Sequence, residues 1–102
     1  MGLFNAMSSV NKINSLLKDL EHEITISQDL VARNASISEL KNCLNVLKSI
    51  HQQLIDAFSN SSAARVAMFN LFGDKMQMHG ILTYSKNVIL HLNAIIQNGN
   101  RY

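Results

Sequence analysis

With 102 residues, 47% of them hydrophobic, the chain can build one core but not two, so residues 1–102 read as a single domain. Charged residues make up 16%, the formal net charge is +2 and the mean hydropathy is +0.05, which excludes a disordered polyelectrolyte and a membrane-embedded chain. So small a charge does not call for a polyanionic partner, and the lone Cys43 excludes an internal disulfide, which makes a reducing, cytoplasmic setting the expectation.

The opening residues Met1 to Met7 lack the basic start, apolar run and cleavage site of a secretion signal, and Ala6 stands where a myristoylation pattern needs Ser or Thr. Proline is absent, so the usual helix breaker is missing and the 3.6-residue period can be tested along the whole chain. Taking Leu3 as a heptad a position, the a/d series runs Leu3, Ala6, Val10, Ile13, Leu17, Leu20, Ile24, Ser27, Val31, which predicts one long amphipathic helix. It should end near Arg33 and Asn34, where a base suits the helix dipole and Asn tolerates the left-handed cap conformation. Ser36-Ile37-Ser38-Glu39 reads as a capping box opening a second helix. The a/d series of that helix is Ile37, Leu40, Leu44, Leu47, His51, Leu54, Phe58, widened by Cys43, Ile50 and Ala57, and it stops at Ser59 to Ser62.

A continuous helix over residues 62–98 would measure about 55 Å against about 33 Å for the second helix, leaving apolar surface uncovered. Gly73 as a C′ residue and Asp74-Lys75-Met76-Gln77 as a further capping box predict a break. The third helix is then short, about Ser62 to Phe72. The fourth runs from about Lys75 to Asn98 on Met78, Ile81, Ser85, Val88, Leu92 and Ile95, flanked by Leu82, Ile89 and Ile96. The expected fold is all-α, an up-and-down antiparallel bundle of four helices with the third short. The alternative is a three-helix bundle whose long C-terminal helix is kinked at Gly73 and Gly80.

Little in the chain points to catalysis. His22-Glu23 has no second His four residues after the first, and Glu39 is followed three residues later by Asn42, so neither the helical zinc-protease pattern nor a di-iron pair is present. Met76 and Met78 are two apart and diverge by about 200° on a helix, which prevents joint chelation of a soft metal with His79. Cys43 and His51 share a helix two turns apart, out of reach of each other, and read as a buried thiol and a core-edge histidine bonded to a neighbouring helix. Asp19, Glu21, Glu23 and Asp29 read as a solvated face. No phosphate-binding glycine loop exists. The expectation is therefore a protein that is not an enzyme, with no cofactor, no metal and no evident small-molecule substrate.

Twelve Asn and eleven Ser occupy many helix positions where Glu and Lys normally sit, so the helices rely on packing, and their charge-poor surfaces tolerate being covered. Phe4, Met7, Ile26 and Leu90 lie off the a/d stripes and are the candidate contacts for a protein partner or a second copy, with Val46 a further off-stripe residue. A rival reading takes Arg65, Lys75 and Lys86 as contacts of a mildly basic DNA-binding bundle, with residues 62–98 as a helix-turn-helix, although the charge is thinly spread. In size and helical class the chain is similar to the small bacteriocin immunity proteins, which would imply an inhibitor that blocks one target. In length and central polar break it resembles secreted helical hairpins that carry a Trp-x-Gly turn, but it has no Trp, and Tyr84 is followed four residues later by Val88 rather than an acid.

Overall fold

The computed structural model describes the backbone of residues 2–99 and the side chains of residues 8–99. Helix α1 spans Gly2–Ala32, α2 Ile37–Ser59, α3 Ser62–Val66 and α4 Met78–Gly99; between α3 and α4 a hairpin pairs β1, Phe69–Leu71, with β2, Asp74–Met76. The fold is a helical bundle with four helices, the third short, carrying one small two-stranded sheet.

The end of α1 and the start of α2 form by the mechanisms that the sequence predicts. Asn34 takes φ 53°, the amide of Ala35 donates to the carbonyl of Leu30 at 2.9 Å, and the amide of Asn34 donates to Val31 at 3.2 Å. That is the Schellman pattern, in which a left-handed residue turns two otherwise free amides back onto the last carbonyls. At the start of α2, the Glu39 amide donates to Ser36 Oγ at 3.2 Å and the Ser36 amide to Glu39 Oε2 at 3.1 Å, closing the capping box. Ser61 caps α3 by accepting from the Ala64 amide at 3.1 Å.

Three helices carry the core, and α2 is the middle one. Its buried stripe, Leu40, Cys43, Leu44, Leu47, Ile50, Leu54, Ala57 and Phe58, faces both α1 and α4. The Cys43 thiol reaches the Glu23 carbonyl of α1 at 3.7 Å, and His51 bonds Ser85 of α4. From α1 come Ile13, Leu16, Leu17, Leu20, Ile24 and Leu30, and from α4 Ile81, Leu92 and Ile96. α1 and α4 meet α2 extensively and each other very little. The chain is elongated, 54 × 23 × 17 Å, because the 31 residues of α1 alone span about 46 Å, and its radius of gyration is 15.1 Å where a compact domain of this length has about 13 Å.

The segment after Val66 departs from the sequence reading. The third helix was expected to reach Phe72, but it ends at Val66 and the chain becomes extended at Ala67, with φ −77° and ψ 155°. Phe69 and Leu71 then point inward while Asn70 points out, a two-residue period that a helical reading cannot accommodate. Phe69 meets Phe58 edge to face, with ring centroids 5.7 Å apart at 82°. Burying that pair and Leu71 against α1 and α2 outweighs one or two further turns of a short helix.

The turn linking the strands is Phe72-Gly73, with φ 52° and 84°. Two left-handed residues in succession make the mirror-image turn whose twist suits a two-residue hairpin. Gly73 is therefore the hairpin's turn residue rather than a helix C′, and Asp74 is in a strand rather than a cap. Lys75 and Met76 also belong to β2, so α4 begins three residues later than expected and the helix-turn-helix is absent. A Cβ at Gly73 would touch nothing within 4 Å, so Gly73→Ala should cost about 1 kcal/mol purely through backbone strain. Chemical denaturation measures that loss; an unchanged midpoint would show that the turn relaxes to another type.

Candidate functional site

Because α1 and α4 both lean on α2, their far flanks leave a groove of about 530 Å³ between residues 24–32 and 84–95. Its apolar lining comes from Ile24, Val31 and Ala32 on one wall and Val88, Leu92 and Ile95 on the other. Ile24 and Leu92 are buried at its base, while Val31, Val88 and Ile95 are half-buried. Five polar side chains, Ser27, Gln28, Tyr84, Asn87 and His91, complete the lining, and no Asp, Glu, Lys or Arg is among them. Ser27 is buried, and its hydroxyl donates to the Ile24 carbonyl at 2.6 Å, so it asks nothing of an occupant.

The hairpin turn stands at the lower end of the groove. Its Phe72 amide donates to Glu21 Oε2 of α1 at 2.6 Å, and the Phe72 ring lies 6.3 Å from the ring of Tyr84 on α4. Glu21 thus has a structural role that reading it as a solvated carboxylate did not anticipate. The Gln77 side chain donates to the Val66 carbonyl at 3.0 Å, tying the two ends of the hairpin region together. Phe72 remains 45% exposed and Tyr84 37%, which extends the apolar surface beyond the groove itself.

Of the four partner-contact residues expected from sequence, Ile26 and Leu90 do not line this groove. Phe4 and Met7 lie outside the described side chains. Ile26 was expected outside the core, yet it is half-buried against it, because a c position beside a wide a/d stripe is drawn into a bundle this small. Leu90 is exposed, as its f position implies, and belongs to neither groove wall. Val46 on α2 is likewise exposed. The groove residues themselves were legible only as core: Ile24, Val31, Val88, Leu92 and Ile95 are all a/d positions, and nothing in the spacing distinguishes those that meet α2 from those left facing outward.

The reactive side chains fall into structural roles. Burial, together with the nearby Glu23, pushes the Cys43 thiol up to about 12, so the thiolate that attacks electrophiles is scarce. Native protein at pH 8 should therefore label with a thiol reagent far more slowly than denatured protein; equal rates would place Cys43 at the surface. His51 bonds Ser85, whose own hydroxyl also reaches the Leu82 carbonyl at 3.3 Å. The His51 tautomer sets the direction of the bond: a protonated Nδ1 donates to Ser85 Oγ, whose own proton then goes to Leu82, whereas a bare Nδ1 accepts from the hydroxyl. Burial and the adjacent Lys86 both hold the imidazole below its ordinary value.

Among the described residues no cluster of three His, Cys, Asp or Glu could hold a metal ion, and no helix is long and apolar enough to cross a membrane. Met76 is in β2 and Met78 in α4, both half-buried against the core. Arg65, Lys75 and Lys86 are exposed on three different elements, α3, β2 and α4. No protein family, curated protein or solved structure compared with the chain matches it.

Proposed function

We propose that this protein is a non-enzymatic binding module that receives an amphipathic helix in the groove between α1 and α4. The observation that carries this reading is the groove's chemistry, an apolar floor and walls rimmed by neutral amides with no fixed charge. An amphipathic helix laid there continues the bundle, since the flanks of α1 and α4 offer the kind of surface that α2 fills on the other side. The neutral rim supplies Gln28 and Asn87 as hydrogen-bonding groups without the desolvation cost of a buried charge. The exposed Phe72 and Tyr84 at the lower end enlarge the area an occupant can cover, and aromatic residues of this kind commonly carry a large share of binding energy.

A photo-crosslinking residue placed at Val88 tests the reading in the living cell, with the same residue at the exposed Lys48 of α2 as control. Discrete adducts at Val88, mapped by mass spectrometry to an amphipathic polypeptide segment, are the expected result. Equal labelling at both positions, or adducts with small molecules alone, would refute it. The DNA-binding alternative makes a separate demand: affinity for duplex DNA that falls steeply with salt.

A further inference from the structure

We propose that the hairpin tip is the end stop of the groove: Phe72, held in place by Glu21, seats the last turn of the bound helix and so fixes which residues of that helix lie in the groove. The inference rests on the groove reading above and adds how its occupant, a partner helix with an uncharged inner face, is registered. Three observations meet at the tip.

The first is position. The Phe72 amide donates to Glu21 Oε2 one turn before Ile24, where the α1 wall begins, and the Phe72 ring stands beside Tyr84, where the α4 wall begins. α4 runs antiparallel to α2, with His51 beside Ser85 and Ile37 beside Gly99, as does α1 through the tight turn at Asn34. Both walls therefore start at this end, and the tip bridges them. From there residues 24–32 run for about 12 Å and residues 84–95 for about 17 Å, room for about eight to eleven residues of helix.

The second observation is charge. The groove lining holds no Asp, Glu, Lys or Arg, whereas the hollow that α1 forms past the tip is lined by Lys18 and Glu21 together with Asn14, Asn70 and Gly73. An uncharged helix face matches the groove and loses that match beyond the tip, where it would desolvate two charged groups without pairing them.

The third is the side chain at the turn. Phe72 has φ 52°, a conformation that Gly or Asn adopts at lower cost, and its ring is 45% exposed beside a Tyr84 that is 37% exposed. Neither the turn nor the core accounts for a Phe there. A helix end laid against the two rings does, because rigid aromatic side chains offer a large apolar area at little cost in conformational freedom. Glu21 is the positioning residue, since its carboxylate holds the Phe72 amide and with it the direction of the ring.

The cellular photo-crosslinking at Val88 described above tests the stop when it is repeated in three variants, with a second probe at Lys18, exposed on α1 past the tip. In the natural sequence the Val88 adducts should map to one turn of a single partner segment, and the Lys18 probe should leave that segment unlabelled. Glu21→Ala and Phe72→Ala should spread the Val88 adducts to neighbouring turns, about four residues away, and let the Lys18 probe reach the same segment. Glu21→Gln keeps an oxygen that accepts the Phe72 amide and should label as the natural chain does. Hydrogen exchange of the purified proteins, with circular dichroism as a folding control, reads the latch without any partner: the Phe72 amide should exchange faster in Glu21→Ala and at the natural rate in Glu21→Gln. An unchanged rate in Glu21→Ala overturns the role of Glu21. Single-turn adducts in both alanine variants, or labelling of the segment from Lys18 in the natural chain, overturn the stop and leave the groove occupied. Absence of discrete Val88 adducts in the natural chain overturns the groove reading and the stop together.

Discussion

Phe58→Ala should be among the most destabilising single substitutions in this protein, costing about 4 kcal/mol and lowering the melting temperature by about 20 °C. Phe58 is 1% exposed near the end of α2, and its ring is the surface on which Phe69 of the hairpin is seated edge to face. Removing it opens a cavity under the hairpin and discards the aromatic pair as well as the buried area. The effect should be visible in two ways. Thermal unfolding followed by far-ultraviolet circular dichroism gives the global loss. Hydrogen exchange at the amides of the β1–β2 ladder gives the local one, with faster exchange there than in the middle of α2. Phe58→Leu keeps most of the apolar area and should cost about half as much. A loss below about 1 kcal/mol in the Ala variant would mean that the hairpin does not depend on α2 for its seat.

The second large effect concerns the bond between His51 and Ser85, the polar contact joining α2 to α4. Ser85 is 1% exposed, so Ser85→Ala leaves the half-buried imidazole Nδ1 without its hydrogen-bond partner and should cost about 1–3 kcal/mol. The bond also carries a pH dependence whose sign follows from the environment. His51 is held below its ordinary value of 6.5 by burial and then by Lys86, so the unfolded chain takes up a proton at a pH where the folded one does not. Stability is thus fully present above about pH 6.5 and is lost as the pH falls from there through the depressed folded value. Urea denaturation between pH 7.5 and 5 should show this decline, and His51→Gln, which bonds without titrating, should flatten it. An unchanged slope in His51→Gln would assign the decline to other groups.

Surface ion pairs contribute little to any of this. Arg33 Nε lies 3.1 Å from Asp29 Oδ2 with both side chains well exposed, and such pairs are worth about 0–1 kcal/mol. Its place beside the Asn34 cap fits the base expected at that helix end, while the backbone bonds of the Schellman turn do the capping.

Local periodicity and local hydrogen bonding account for the part of the fold that the order of amino acids makes legible. The stripes of α1, α2 and α4 repeat every three or four residues, and the same residues are buried in the structure: Ile13, Leu17, Leu20 and Ile24; Leu40, Leu44, Leu47 and Leu54; Ile81, Leu92 and Ile96. The Asn34 turn and the Ser36–Glu39 box were equally legible, because a cap is satisfied by atoms within about five residues of it. His51 was readable as a core-edge histidine for the same reason, an a position flanked by Leu47 and Leu54, although its partner Ser85 lies 34 residues away.

The conformation of residues 67–76 and the location of the groove depend on contacts between elements far apart in the chain. Met68 to Phe72 are apolar at both helical and strand spacings, and so short a run obeys either period; the choice went to the strand because Phe58 and α1 offer inward-facing residues a place to be buried. Phe72 tolerates a left-handed backbone because Glu21, 51 residues away, accepts its amide and Tyr84 lies beside its ring. The groove was hidden for a related reason. An a/d stripe states that a helix has a face to bury, and says nothing of how many neighbours arrive to cover it. In this bundle α2 takes one side of both α1 and α4, and the outward flank of each stripe, from Ile24 to Val31 and from Val88 to Ile95, is left as the surface on which binding can be built.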